Sequence, residues 1–171
     1  MMKIIFLDID GVLQPGTQRR FDHDLDQLKD DFAKKDPDYG LLDKYDIGAT
    51  YYDWDKNAIS LLKALCDETE AKFVISSNWR TQSSLKKLRL LFAIHNLDGY
   101  VFDTLDTEFT ELRRYQEIQN YLSCHDNISH FVIIDDWYIS DFNEHFPLNF
   151  VQTEWVFTAE NYEKSLTILE K

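Results

Sequence analysis

Four apolar residues in a row, Ile4-Ile5-Phe6-Leu7, run straight into two carboxylates one residue apart in Asp8-Ile9-Asp10-Gly11-Val12-Leu13. An uninterrupted apolar run of this length reads as a strand covered on both faces. Such strands belong to parallel sheets, whose ligands bind beyond the carboxyl ends. Side chains alternate along a strand, so Asp8 and Asp10 leave on the same side, and Gly11 lets the backbone turn sharply beside them. Two carboxylates so placed invite a divalent cation. An aspartate can also attack phosphorus and hold it as an aspartyl phosphate, so the pair offers a nucleophile and an acid/base together.

Competing readings of the two acids fail on detail. A calcium loop starting at Asp8 needs a glycine at its sixth position and a glutamate at its twelfth, where this chain has Leu13 and Arg19. Turn capping accounts for one carboxylate and the glycine but not for two acids on one side. A phosphorelay receiver domain also clusters acids at strand ends, but it wants them adjacent at the first strand, a separate phosphoacceptor at the third, and a lysine near the end. Here the spacing is acid-x-acid-glycine. Neither a glycine-rich dinucleotide turn nor a Walker-type Gly-Lys-Ser/Thr sequence occurs, which leaves oxidoreductase and kinase readings without a phosphate cradle.

Further along, the same pattern repeats. Gln14 to Tyr52 carries Pro15, Gly16, Pro37, Gly40 and Gly48 and reads as an insertion, with a short helix near Asp24 to Lys34. Helical spacing of Ala58, Leu62, Leu65 and Cys66 predicts a crossover helix over Asp55 to Asp67, which places Cys66 in the core. Lys72 to Ile75 is a second buried strand, ending at Ser76-Ser77-Asn78-Trp79-Arg80. A helix over Ser83 to His95, a short strand at Tyr100 to Phe102 and a helix over Glu111 to Leu122 follow. Phe131 to Ile134 is a third apolar run ending in acid, at Asp135-Asp136. Phe150-Val151 makes a last strand and Ala159 to Leu169 a last helix. Repeated strand–helix units predict an α/β fold with a mainly parallel sheet.

The chain's 171 residues suffice for one sizeable core, so a single domain over 1–171 with a short insertion at about 14–52 is expected. Its 18 Lys+Arg against 31 Asp+Glu give −13, a field that repels polyanions, so bulk nucleic-acid binding is not expected. Nine Asp and four Lys between Asp22 and Asp46 mark a solvated segment. Cys66 and Cys124 stand in no metal or disulfide pattern, and no apolar run approaches a signal core or a membrane span. A cytoplasmic protein with no membrane partner is expected, its oligomeric state left open.

Three strand ends thus carry chemistry: Asp8/Asp10, Ser76/Ser77 and Asp135/Asp136. Their oxygen-only donors suit magnesium, which takes one or two carboxylates with waters and substrate phosphate oxygens. Zinc would want histidine or thiolate, and Cys124-His125 with His130 reads as a polar loop instead. Trp79 and Trp137 are expected as core aromatics ahead of stacking surfaces for a base.

Asp8-Ile9-Asp10-Gly11-Val12-Leu13, the strand-end Ser76 and Asp135-Asp136 resemble motifs one, two and four of the haloacid dehalogenase (HAD) superfamily, from residue 4 to about 151. Within that span, Phe73 to Arg80 and Phe131 to Trp137 resemble the small phosphatase-like HAD domains of RNA-repair (Swiss Army Knife) proteins. The resemblance implies a three-layered Rossmann-like sheet, Mg2+, and phosphoryl transfer through an aspartyl phosphate. It makes Asp8 the nucleophile. Asp10 is then the acid/base whose backbone carbonyl helps hold the metal, and Ser76 binds a phosphoryl oxygen. Metal is assigned to Asp136 ahead of Asp135 and Asp141. Ser77, Asn78 and Arg80, just past the second strand, are candidates for substrate binding, with the Arg80 guanidinium suited to a second phosphate or another acidic group.

One piece of the pattern is missing. The superfamily's third motif supplies a lysine that offsets the crowded acids, and none stands in its usual setting. Arg114, opening the helix before the fourth motif, is the preferred replacement, with Arg113, Lys86 and Lys87 as rivals. A surface pair of Arg114 with Glu111 or Glu117 is the plainer alternative. A phosphatase is favoured over a dehalogenase because Asp10 is what phosphoester hydrolysis needs. The substrate class stays open between a nucleotide, a nucleic-acid terminal phosphate, a sugar phosphate and a phosphoprotein. A HAD-like binding or regulatory module with little or no turnover is the rival from another class.

Overall fold

A computed structural model describes residues 1–107 and 112–171. Five parallel strands form one sheet in the order β3-β2-β1-β4-β5. They are β1 (Met2–Leu7), β2 (Lys72–Ile75), β3 (Val101–Thr104), β4 (Ile128–Asp135) and β5 (Phe150–Gln152). Ile4 to Leu7 are wholly buried because β1 is central and covered on both sides. The pleat divides them. Ile5 and Leu7 join Phe73, Ile75, Val132 and Ile134 on one face, while Ile4 and Phe6 join Val74 and Ile133 on the other.

Each face takes its own helices. α3 (Lys56–Thr69), α4 (Leu85–Ala93) and α7 (Ala159–Leu169) cover the first through Leu62, Leu65, Cys66, Leu88, Phe92 and Leu169. α5 (Arg114–Ser123) and α6 (Ile139–His145) cover the second through Ile118, Tyr121 and Phe142. This is the parallel α/β architecture the alternating pattern predicts, in the three layers the resemblance implies, with Cys66 in the core.

Most boundaries moved by a residue or two, for local reasons. The α3 helix starts at Lys56 because the Asp55 side chain caps it, accepting from the N–H groups of Asn57 and Ala58 at 2.9 Å. β4 begins three residues earlier than its apolar run, since Ile128 and His130 pair with Met2 and Lys3. α6 had no expected counterpart: seven residues long, it buries only Phe142 and so leaves little periodicity to read. The predicted start of α5, Glu111, lies outside the described residues.

Between β1 and α3 the inserted segment is more helical than its prolines and glycines suggest. It holds α1 (Leu25–Lys35), α2 (Lys44–Gly48), tight 3-10 turns at Arg19–Asp22 and Pro37–Leu41, and a wider π-helical turn at Ala49–Asp53. Tyr39, Leu42 and Ile47 pack against Leu91 of α4, and the Tyr39 hydroxyl donates to the Leu90 carbonyl at 2.9 Å. The wholly buried Asp53 pairs with Arg20 and ties the two ends of the segment together. Among the described residues no helix is long and apolar enough to cross a membrane.

The strand order fixes where a ligand can enter. β1, β2 and β3 progress one way, then the chain crosses back to lay β4 on the other side of β1. The connections therefore diverge above the carboxyl ends of β1 and β4, where open α/β sheets leave a crevice.

Candidate active site

Asp8 follows β1 directly, Asp135 closes β4, and Asp136 comes next, so all three stand at that crevice. The strand ends are zipped together: the Asp8 N–H donates to the Ile134 carbonyl and the Ser76 N–H to the Leu7 carbonyl, both at 3.0 Å. After Asp8 the chain folds into a tight loop in which the N–H groups of Leu13 and Gln14 donate to the Ile9 carbonyl at 2.9 Å. Gly11 sits in that loop at φ +71°, and a Cβ there would overlap the Asp136 carboxyl. The glycine is required twice, by conformation and by the acid lying against it.

Carboxylate oxygens of Asp8, Asp135 and Asp136 lie within 4.8 Å of one another. Oδ2 of the fully buried Asp135 has no hydrogen-bond partner. Three hard oxygens converging, one of them orphaned, fit a divalent cation with a preference for oxygen. The Asp10 carboxylate is not in this group; the resemblance gives Asp10 to the metal through its backbone carbonyl. Its Oδ2 accepts from Trp79 Nε1 at 3.0 Å, which leaves it beside the cluster rather than in it. Asp141 is also elsewhere, paired with the exposed Arg113 at 3.0 Å.

Crowding acids out of water raises their pKa values. Burial pushes Asp8 up to about 6, with the Asp10 charge adding to it, against the pull of Arg114, the Ser77 hydroxyl and the Ile9 N–H. Burial, and then the neighbouring Asp8 charge, hold Asp135 well above the usual carboxylate range, opposed by Arg114 and the Trp137 N–H. Burial likewise raises Asp10, against the Trp79 hydrogen bond and the Arg20 charge. It raises Asp136 too, helped by the Asp10 charge. Four carboxyls that each favour a proton are short of positive charge.

Among the described residues, Arg114 is the cation that pairs with them. Arg114 is 5% exposed, and its Nη1 lies 3.7 Å from Asp135 Oδ2 with no hydrogen bond of its own. Arg114 also pairs with Glu117 at 3.2 Å, inside the protein and not on the surface. Glu111, the other expected partner, is outside the described residues. Lys86 points away, exposed and paired with Asp38 at 2.6 Å, and the Lys87 charge acts on Asp46.

The residues after β2 divide by direction. Ser76 is wholly buried and its Oγ has no partner. Ser77 gives its hydroxyl to Asp8, and the side-chain amide oxygen of Asn78, Oδ1, accepts from Arg114 Nη2 at 2.8 Å. Arg80, a candidate for substrate binding, commits its guanidinium to neighbouring protein groups. It is 6% exposed and donates to the carbonyls of Ser76 and Ser77 and to Glu117, because an arginine at the end of a one-turn helix reaches back over its own loop. Trp137 is also corrected: expected in the core, it is 69% exposed, while Trp79 packs partly buried against the core. Asn78, Arg80, Thr81, Arg113, Arg114 and Tyr138 line a hollow of about 320 Å³.

Two contributors carry no sequence signal. Thr153, after β5, donates its hydroxyl to the Gly11 carbonyl at 2.7 Å and its N–H to the Asp135 carbonyl at 3.1 Å, stitching the two acid loops together. A lone threonine after a three-residue strand cannot be singled out from spacing. Trp79 as a donor to Asp10 is equally invisible, since the two are 69 residues apart.

A family model for the HAD domain in Swiss Army Knife RNA repair proteins matches residues 4–161. No curated protein and no solved structure gave a match. The match spans both acid loops and nearly the whole chain, and the protein belongs to this family of HAD domains.

Proposed function

We propose that this HAD domain is a magnesium-dependent phosphoester hydrolase working through an aspartyl phosphate on Asp8. The observation that carries the reading is the meeting of three carboxylates with two unpartnered donors, Arg114 Nη1 and Ser76 Oγ, at the crevice of the sheet. Acids alone would be a metal site. Acids with free buried donors beside them fit a metal and a phosphoryl group together.

Asp8, Asp135 and Asp136 would hold the magnesium ion. When bound, it offsets their charge and that of a phosphate. Asp8 then attacks phosphorus while Asp10 gives its proton to the departing alkoxide oxygen, and the raised pKa of Asp10 makes that proton available. In the second half Asp10 takes a proton from water as the water oxygen bonds to phosphorus. The bond between phosphorus and the Asp8 oxygen breaks, and inorganic phosphate leaves. Trp79 Nε1 holds the Asp10 carboxylate in place between the two halves. Ser76 and Arg114 donate to the phosphoryl oxygens, whose charge grows in the transition state.

The substrate we propose is a nucleotide or the terminal phosphate of a nucleic acid. RNA-repair membership supports it, and the −13 net charge favours an end held at one point over a strand tracked along the surface. A phosphate-release screen tests this, with and without magnesium, over mononucleotides, 5′- and 3′-phosphorylated oligoribonucleotides, sugar phosphates and phosphopeptides. Magnesium-dependent release from the first two classes is expected. Release from none would replace the hydrolase reading with that of a binding or regulatory module.

A further inference from the structure

Two arginines lie buried beside each other, Arg80 at 6% and Arg114 at 5% exposure, and burial, followed by the Arg114 charge, disfavours the charged form of Arg80. One carboxylate stands between them. Glu117 Oε1 is 2.6 Å from Arg80 Nη2, and Glu117 Oε2 is 3.2 Å from Arg114 Nε. Its side chain is only 10% exposed, so this is not a surface pair that solvent screens away.

The bridge joins α5 to the turn after β2, which Arg114 also meets through Asn78. Glu117 and Arg114 both belong to α5, one turn apart. Arg80 belongs to the turn after β2 and grips the carbonyls of Ser76 and Ser77 with Nη1. A guanidinium is planar, so fixing two of its nitrogens fixes the third. In Arg114, Nε is held by Glu117 and Nη2 by Asn78, and the nitrogen left over is Nη1, facing Asp135 at 3.7 Å without a hydrogen bond.

We infer that Glu117 is a positioning residue, one that aims Arg114 Nη1 at the phosphoryl group and, through Arg80, clamps the backbone that carries Ser76 to the same support. The inference rests on the hydrolase reading above. It makes the hydroxyl and the cation a single unit, so that either displaced alone would spoil both.

The test compares Glu117→Gln, Glu117→Asp, Arg114→Ala and the double variant Glu117→Gln/Arg114→Ala. Their kcat and KM are measured on p-nitrophenyl phosphate with magnesium, well below each variant's melting temperature. Glu117→Gln removes the charge at constant shape. Glu117→Asp keeps both arginines neutralised but withdraws the carboxylate by one methylene, so it reads position apart from folding. Each should lose about 10- to 100-fold in kcat, with KM changed far less. The double variant should lose less than the product of the two single losses, because the part of the Glu117 effect that runs through Arg114 is already gone and only the part that runs through Arg80 is left. A purely structural glutamate would lower melting temperature and add its loss on top of Arg114→Ala. Tungstate affinity by calorimetry repeats the comparison without turnover. Wild-type kcat in Glu117→Asp beside a crippled Arg114→Ala would overturn this inference and leave the hydrolase reading standing. Full activity in Arg114→Ala would remove Arg114 as the cation and Glu117 with it.

Discussion

Between residues 22 and 46 nine aspartates occur and none is buried, whereas Asp8, Asp135 and Asp136 are packed against one another at the end of two strands. In the inserted segment nearly every acid has local work. Asp24, Asp36 and Asp43 cap helices or turns by accepting from backbone N–H groups, and Asp31 and Asp26 pair with Lys34 and Lys44 at 3.0 and 2.7 Å. At the strand ends the same side chain is short of partners and its carboxyl is pushed upward. Charge that water or a cap can satisfy shapes the fold, while charge held out of water beside like charge stores the capacity for chemistry.

Breaking the buried group should have the largest effect. Asp8→Asn should abolish phosphate release, since an amide is a poor nucleophile, and should leave the protein folded. It should also be the more stable protein at neutral pH without metal. The Asp8 carboxyl is raised in the fold, so its contribution to stability is full below the unfolded value near 3.8 and is lost as pH rises through about 6. Urea melts of wild type and Asp8→Asn in EDTA should therefore diverge with rising pH, Asn gaining on the order of 1–3 kcal/mol between pH 4 and 7. Parallel curves would mean that the carboxyl is not disfavoured by its surroundings.

Arg114→Ala should follow, with a loss of about 10²- to 10³-fold in kcat, because a donor aimed at developing charge is removed. Lys86→Ala and Lys87→Ala should change steady-state rates little, and a dead Lys86 variant would relocate the missing cation. Gly11→Ala should act on both levels. Forcing a side chain into φ +71° costs about 1–3 kcal/mol, and the new methyl must displace Asp136, so calorimetric magnesium affinity should fall as well. The smallest effect is expected in the solvated segment: Asp31→Asn should leave turnover and the urea midpoint unresolved from wild type. A strong effect there would give the insertion's acids a role that their exposure does not explain.

The contrast between the two acid regions was legible in the sequence because of what precedes each acid. Asp8 and Asp135 follow four-residue apolar runs and so had to emerge at the ends of buried strands, whereas the aspartates of 22–46 are spaced among lysines and turn formers. The parallel sheet, the crossover helices and the grouping of Asp8 with Asp135 and Asp136 follow from those runs. What stayed hidden depends on the direction of a side chain in three dimensions. Asp10 turns to Trp79, Arg80 folds back onto its own loop, Arg113 goes to Asp141 while its neighbour Arg114 goes inward, and Thr153 arrives from the far edge of the sheet. The period of a strand or helix gives which side a residue leaves from, not which partner a long side chain finds.

The most direct measurement is made on Asp10→Asn, which keeps the nucleophile and loses the proton relay. Mixed with magnesium and p-nitrophenyl phosphate, whose leaving group needs no proton, it should still phosphorylate Asp8. Hydrolysis of that adduct should slow by about 10²- to 10⁴-fold. Rapid acid quench with intact-mass detection should then find one phosphate per chain, mapped to Asp8, and none in the Asp8→Asn/Asp10→Asn control. An adduct on a serine, or phosphate release that persists in Asp8→Asn, would contradict the aspartyl-phosphate mechanism.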